Sequence, residues 1–296
     1  MKNNNKSTML RGMTRDGSAR VLVINSSEMV NEMIRTHHTS PTATAALGRL
    51  VTAASMIGSM LPEAGNTVTV GFRGDGPLGQ ILAVADYYGC VKAYVQNPEA
   101  DLPRKKNGAP DVGNAVGPGS LFMVRDLSGG EPQTGTVEIV SGEIAEDLAT
   151  YFAKSEQVPT LLSLGVTVDK DGSCLCAGGV LIQLLPFPDE ETVDLLERNA
   201  EKLSHISSLL EKGMTNEEIA AIALEGIPFD PFDTLEVDYR CDCSSDRMLK
   251  KIRSLAKSEI ARMLDEQEAE GKPRELTAVC RFCGSEYTFG EKELLK

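Results

Sequence analysis

Apolar and polar residues alternate with a period of two in several short stretches of the first two thirds of the chain, the pattern of strands with one buried face. Strands are predicted over 19–27 (ARVLVINSS), 66–74 (NTVTVGFRG), 79–89, 91–96, 134–142, 161–168 and 173–186 (SCLCAGGVLIQLLP). Turn residues punctuate them at Asp16-Gly17, Asp75-Gly76-Pro77 and Asp171-Gly172, where the chain must reverse tightly. Between the first two strands the period changes, and a helix is predicted over about 41–61, with Ser40 as its cap and Pro41 in its first turn. That segment is apolar apart from Arg49 and rich in small residues, which suits a buried helix better than a membrane span. A second helix is predicted over about 143–155. Most connections look like hairpins, so residues 1–186 are expected to form an α+β core, a mostly antiparallel sheet with packed helices.

The pattern changes at "LPFPDEE" (185–191). Beyond it Val193, Leu196, Ala200, Leu203, Ile206 and Leu210 recur at steps of three and four, one apolar stripe on a helix. Asp189, Glu190 and Glu191 favour its N-terminus through the helix dipole, and Gly213 stops it. Thr215 and Glu218 offer a capping box for a short helix that ends at Gly226. "IPFDPFD" (227–233) is a joint broken by prolines. Residues 187–234 therefore read as a helical linker and 235–296 as a separate small module.

Composition narrows the function classes. The chain has 296 residues, 41% hydrophobic and 25% charged, enough for about two domains with real cores. Its net charge of −13 opposes surfaces built for nucleic-acid phosphates or anionic lipid, so neither a nucleic acid nor a membrane is expected as a partner. The first 20 residues show no apolar signal region, and a cytoplasmic location is expected. Thiols there stay reduced, and clustered cysteines point to metal or redox chemistry before structural disulfides.

Four of the seven cysteines fall in "YRCDCSSDR" (239–247) and "VCRFCGSEYTF" (279–289). Cys241 and Cys243 form a C-x-C pair, and Cys280 and Cys283 a C-x-x-C pair. An amphipathic helix over about 245–270, ended by Gly271 and Pro273, can fold back and bring the pairs together. Four thiolates suit one tetrahedral Zn²⁺ in a closed site with no open position for water, so the metal is expected to be structural and not hydrolytic. Gly284 lets the backbone turn around the metal, and Arg240, Arg247 and Arg281 lie beside the ligands to offset their negative charge. A module of this size draws at most about 3–5 kcal/mol from an apolar core, whereas a structural zinc contributes about 10–16 kcal/mol. Metal loss is therefore expected to unfold it. Both pairs have spacings that a disulfide can bridge. On these residues alone, a redox switch and a zinc staple that is never oxidised both remain open.

Other signals receive plain structural readings. "GDGPLG" (74–79) matches G-x-G-x-x-G, but Pro77 and the strand-like residues that follow make it a hairpin turn instead of a nucleotide loop. Cys174 and Cys176 are expected on one face of a strand, and Cys90 in ordinary packing. His37 and His38 are read as solvated loop residues and His205 as a half-buried helix residue.

The paired cysteine motifs, with "GDGPL" (74–78) and "AGGVLIQLLP" (177–186) in the expected order, resemble the heat-shock protein 33 family over essentially the whole chain. Tyr239 stands where that family usually has another aromatic, often Phe, and Asp246 where it usually has Glu; neither is a candidate ligand. The resemblance implies an ATP-independent holdase, not an enzyme, with Cys241, Cys243, Cys280 and Cys283 as both zinc ligands and redox centre. It further implies that oxidation forms Cys241–Cys243 and Cys280–Cys283 disulfides, releases zinc and unfolds the module. The activated protein, usually a homodimer, would then hold unfolding client proteins. The competing readings are a thiol-disulfide oxidoreductase using the C-x-x-C, a constitutive zinc-stapled binding protein, and a zinc-containing nucleic-acid binder that the net charge opposes.

Overall fold

In the computed structural model, which describes residues 6–169 and 172–296, every strand pairing is antiparallel among the named strands. The chain divides into two units, Met1–Arg240 and Cys241–Lys296. The first begins with β1 (Ser7–Thr14), β2 (Ala19–Asn25), α1 (Ser27–His37), α2 (Pro41–Gly58), β3 (Thr67–Gly74), β4 (Gln80–Asp86) and β5 (Val91–Val95). It continues through α3 (Val112–Val116), β6 (Gly119–Asp126), β7 (Gln133–Glu138), α4 (Ile144–Tyr151), β8 (Thr160–Val168) and β9 (Cys174–Leu184). It ends with α5 (Glu190–Ala200), α6 (Ile206–Glu211), α7 (Asn216–Ala223) and β10 (Phe229–Val237). Among the described residues, five strands form one sheet in the order β10-β1-β2-β9-β8 and five form another, β5-β4-β3-β6-β7.

The small-residue helix α2 joins the two sheets. Ser40 caps it, accepting from the Ala43 N–H at 3.1 Å, and every residue from Thr42 to Gly58 except Arg49 is buried. It packs on β3, β4 and β5 from one side and on β8 and β9 from the other. A helix buried all round needs no polar stripe, and its small side chains allow close approach. A Cβ on Gly58 would lie 2.6 Å from the Asp86 carbonyl.

The first sheet is covered on both faces. Along β2, Leu22 and Ile24 enter the core with α2, while Val21 and Val23 enter a second core with Leu196, Leu203, Ile206 and Leu210. This double burial explains why β2 and β9 read as near-continuous apolar runs. The apolar stripe of 193–210 therefore lies on the sheet, as its periodicity requires. Thr215 and Glu218 form the expected capping box at α7, and Asp189 caps α5 by accepting from the Thr192 N–H at 3.2 Å.

Several expectations are corrected. The stripe is not one helix. A 3₁₀ turn at Glu201–Leu203 separates α5 from α6, where Ser204 Oγ donates to the Glu201 carbonyl at 2.7 Å and competes with helical bonding. His205 is exposed at the start of α6 rather than half-buried in a helix. The proline-broken joint at 227–233 runs into β10, which continues past 234 to Val237 and pairs with β1. Its bulge opposite Arg11 and Gly12 lets Pro231 sit in an edge strand. "GDGPLG" is the β3–β4 hairpin turn, as predicted. Of the Asp171-Gly172 turn, Asp171 lies outside the described residues, and Gly172 takes φ +86°.

The second unit contains α8 (Ser245–Arg253), α9 (Lys257–Ala269), β11 (Glu275–Val279), β12 (Glu286–Gly290) and α10 (Glu291–Leu294). The helix predicted over 245–270 is broken at Ser254–Ala256, where Ser254 Oγ donates back to the Lys251 carbonyl at 2.6 Å. Ile260, Leu264, Leu276, Phe289 and Leu294 make its buried core. No helix among the described residues is long and apolar enough to cross a membrane.

Candidate metal centre

Two local structures present the four cysteines. Cys241 and Cys243 lie immediately before α8, whose cap is Ser244; its hydroxyl accepts from the Arg247 N–H at 3.3 Å. A helix N-terminus favours negative charge at its first residues. The Arg247 guanidinium donates to the Asp242 carbonyl at 3.0 Å and also meets the Asp242 carboxylate, which fixes the short segment between the thiols. Cys280 and Cys283 occupy the turn of the β11–β12 hairpin. The Cys280 N–H donates to the Ser285 carbonyl at 2.9 Å, and the Gly284 N–H to the Cys280 carbonyl at 2.8 Å. Gly284 takes φ +73°, a conformation that L side chains rarely adopt.

These structures bring all four sulfurs within 4.8 Å of one another. Two of the separations cross between the segments: Cys241 Sγ to Cys280 Sγ is 3.7 Å, and Cys243 Sγ to Cys283 Sγ is 3.4 Å. A tetrahedron with metal–sulfur bonds of about 2.3 Å has edges of about 3.8 Å. The four cysteines are thus positioned to hold a metal ion, and a set of four soft sulfurs suits zinc.

The protonation of the thiols is uneven. Burial pushes Cys241 and Cys280 above the ordinary thiol value. Burial acts the same way on Cys283, but hydrogen bonds from Ser285 and the adjacent Cys243 and Cys280 outweigh it and bring Cys283 down to about 7. The hydrogen bonds around Cys283 thus favour its thiolate, the form a metal requires of its ligands.

Two hydroxyls border the cluster that the cysteine spacing did not single out. Tyr287 Oη lies 3.1 Å from Cys243 Sγ, and Ser285 Oγ lies 3.2 Å from Cys283 Sγ. The hydrogen bond to Cys243 raises the Tyr287 phenol to about 12. Both residues are in "CGSEY", and strand alternation places Tyr287 and Phe289 on one face, which was the available signal.

The remaining cysteines are elsewhere. Cys90, Cys174 and Cys176 are buried in the first unit. Cys174 and Cys176 do not share a face. The β8–β9 register slips between Thr167 and Val168, whose partners are Cys176 and Cys174. The bulge leaves Leu175 57% exposed and sends Cys174 into the core with α2 and Cys176 into the core with α6. His37 is not a solvated loop residue: it ends α1, with Nε2 2.7 Å from Tyr239 Oη. Of the three arginines expected beside the ligands, Arg247 is tied to Asp242 and Arg240 lies 3.3 Å from the Asp86 carboxylate within the first unit.

Fold and site together define an α+β protein that carries a small C-terminal unit organised around four thiols able to hold a metal. The chain belongs to the Hsp33 protein family, whose model matches residues 7–290. It is 41% identical over 286 residues to the 33 kDa chaperonin of Desulforamulus reducens, covering 97% of this chain and 95% of that one. It is 42% identical over 287 residues to the 33 kDa chaperonin of Bacillus velezensis, covering 97% and 96%. The crystal structure of the 33 kDa chaperonin of Thermotoga maritima, a heat shock protein 33 homolog, superposes with a TM-score of 0.87 at 33% identity, covering 98% of this chain and 97% of that one.

Proposed function

We propose that this chain is a molecular chaperone of the holdase type, switched by the oxidation of its four-cysteine unit. The observation that carries the reading is the convergence of the Cys241, Cys243, Cys280 and Cys283 sulfurs from segments 39 and 40 residues apart. In the reduced form these thiolates hold one zinc, which ties the two segments together. Oxidation within each pair, Cys241–Cys243 and Cys280–Cys283, removes the thiolates that the metal needs. The unit is then left with a core too small to hold its fold.

Client binding follows from the first unit's second core. Leu196, Leu203, Ile206, Leu210 and Ile219 are buried against Leu10, Val21, Val23, Val180 and Ile182. Release of α5–α7 bares apolar surface on both partners, which favours binding of unfolding polypeptides with little regard to sequence. The activated form works as a homodimer in the cytoplasm, without ATP and without turnover. It needs neither nucleic acid nor membrane, in keeping with a net charge of −13. In the oxidoreductase alternative the C-x-x-C would head a helix; Cys280 and Cys283 instead occupy the turn between two strands.

The test treats the zinc-loaded chain with peroxide under mild heating and follows zinc release, far-UV helicity and suppression of aggregation of a denatured client. Zinc release, loss of helicity and aggregation suppression should rise together. Metal release without any effect on aggregation overturns the reading.

A further inference from the structure

The hydroxyl of Tyr287 has no packing role that a phenylalanine would not fill. Its ring packs against the unit's core of Ile260, Leu264, Leu276 and Phe289, and β12 holds it opposite Ala278 of β11. The hydroxyl instead reaches Cys243 Sγ at 3.1 Å. Cys243 is in the other segment, 44 residues away in sequence. Tyr287 therefore links the β11–β12 hairpin to the residue before the α8 cap through one oxygen–sulfur contact.

We propose that Tyr287 is a positioning residue for Cys243: its O–H donates to the Cys243 thiolate, fixes the sulfur's direction and draws electron density from it. The inference rests on the reading of Cys243 as a metal-holding thiolate. A hydrogen bond to a ligand sulfur lowers its nucleophilicity and orients it toward the metal, and loss of such an outer partner typically weakens metal affinity about 10–100-fold. The hydroxyl thus keeps Cys243 from reacting in the resting protein, and the ring, held in the core, makes the contact depend on an intact hairpin. When the hairpin frays, Cys243 loses its donor and becomes the more nucleophilic sulfur.

The test compares the full chain with Y287F, each loaded with Co(II) as a spectroscopic substitute. In Y287F the tetrahedral d–d bands should be unchanged, while the thiolate-to-metal charge-transfer band should move to lower energy as the sulfur becomes more electron-rich. The dissociation constant should rise about 10-fold. Alkylation by iodoacetamide, in which the sulfur lone pair forms the S–C bond as iodide leaves, should accelerate at Cys243 and not at Cys241. If Y287F folds only at higher metal concentration, the shift of the folding midpoint along a metal titration followed by circular dichroism reads the same affinity loss. A Y287F chain that stays unfolded at saturating metal, or one whose charge-transfer band and Cys243 alkylation match the wild type, overturns the role of Tyr287. A wild-type chain that binds no Co(II) overturns instead the metal reading beneath it.

Discussion

Cys241 Sγ lies 3.7 Å from Cys280 Sγ, across two segments 39 residues apart in sequence. With Cys243 and Cys283 at 3.4 Å, the reduced arrangement gathers sulfurs of both segments at one point, whereas the proposed disulfides join them within each. Switching therefore exchanges long-range ties for local ones, and the local ones do nothing to hold α8 near the β11–β12 hairpin. Replacement of one ligand, as in Cys280→Ser, should cost about a quarter of the 10–16 kcal/mol that such a metal contributes, on the order of 100- to 1,000-fold in affinity. Amide dispersion should then collapse for residues 241–296 at low zinc while the strands of the first unit stay protected. A chelator should do the same to the wild type. Retention of that dispersion after chelation would sink the metal-dependent fold.

The other three cysteines should stay out of the redox chemistry. Burial pushes Cys174 up to about 12 and raises Cys90 and Cys176, so little thiolate exists at neutral pH. The β-bulge at Leu175 also places Cys174 and Cys176 in different cores. Mass spectrometry after peroxide should find three free thiols, at Cys90, Cys174 and Cys176, and two disulfides. A Cys174–Cys176 disulfide would contradict the bulge.

That bulge also marks where sequence patterning stops. A period-two reading assigns Cys174 and Cys176 to one face, and only the partner strand's register reveals the extra residue. The clustering of the four cysteines was legible because their spacing is local, and α2 because its cap and small residues are local too. β1 was missed because Arg11 and Gly12 interrupt its alternation; its neighbours β2 and β10 supply the reason it is a strand. β10 was hidden by Pro228 and Pro231, which an edge position tolerates. The helix breaks at Ser204 and Ser254 depend on side-chain hydroxyls bonding back to carbonyls, a choice that periodicity does not encode. Tyr287 was missed because its contact with Cys243 spans the fold.

Release of the linker helices should be achievable without oxidant. A Cβ on Gly165 of β8 would lie 2.7 Å from Ser207 Oγ, 2.9 Å from Ile206 Cγ2 and 3.0 Å from the Ser207 backbone nitrogen. Gly165→Val forces α6 away from the sheet, and such overpacking costs about 1–3 kcal/mol, or about 5–150-fold in the docked-to-undocked ratio. The reduced, zinc-loaded variant should suppress client aggregation and be cleaved faster by protease within 187–227. Unchanged protease resistance together with no holdase activity would show that α6 docking is not what restrains the chaperone.

Acidification should loosen the contact that segment 238–240 makes with β5. Segment 238–240 runs beside β5, with the Val91 N–H donating to the Asp238 carbonyl and the Arg240 N–H to the Val91 carbonyl, both at 2.8–2.9 Å. Between these bonds Tyr239 Oη accepts from the Ala93 N–H at 3.1 Å and meets His37 Nε2 at 2.7 Å. Burial of His37 disfavours the imidazolium and holds its pKa below the ordinary 6.5. Above 6.5 both folded and unfolded chains carry neutral His37, and the contact keeps its full stability. As pH falls below 6.5 the unfolded chain takes up a proton that the folded one resists, so stability declines until the lowered folded value is passed. The protection factor of the Ala93 amide should therefore drop between pH 6.5 and 5 in the wild type and stay level in His37→Gln. Protection that rises on acidification, or an equal decline in both proteins, would remove His37 from the account.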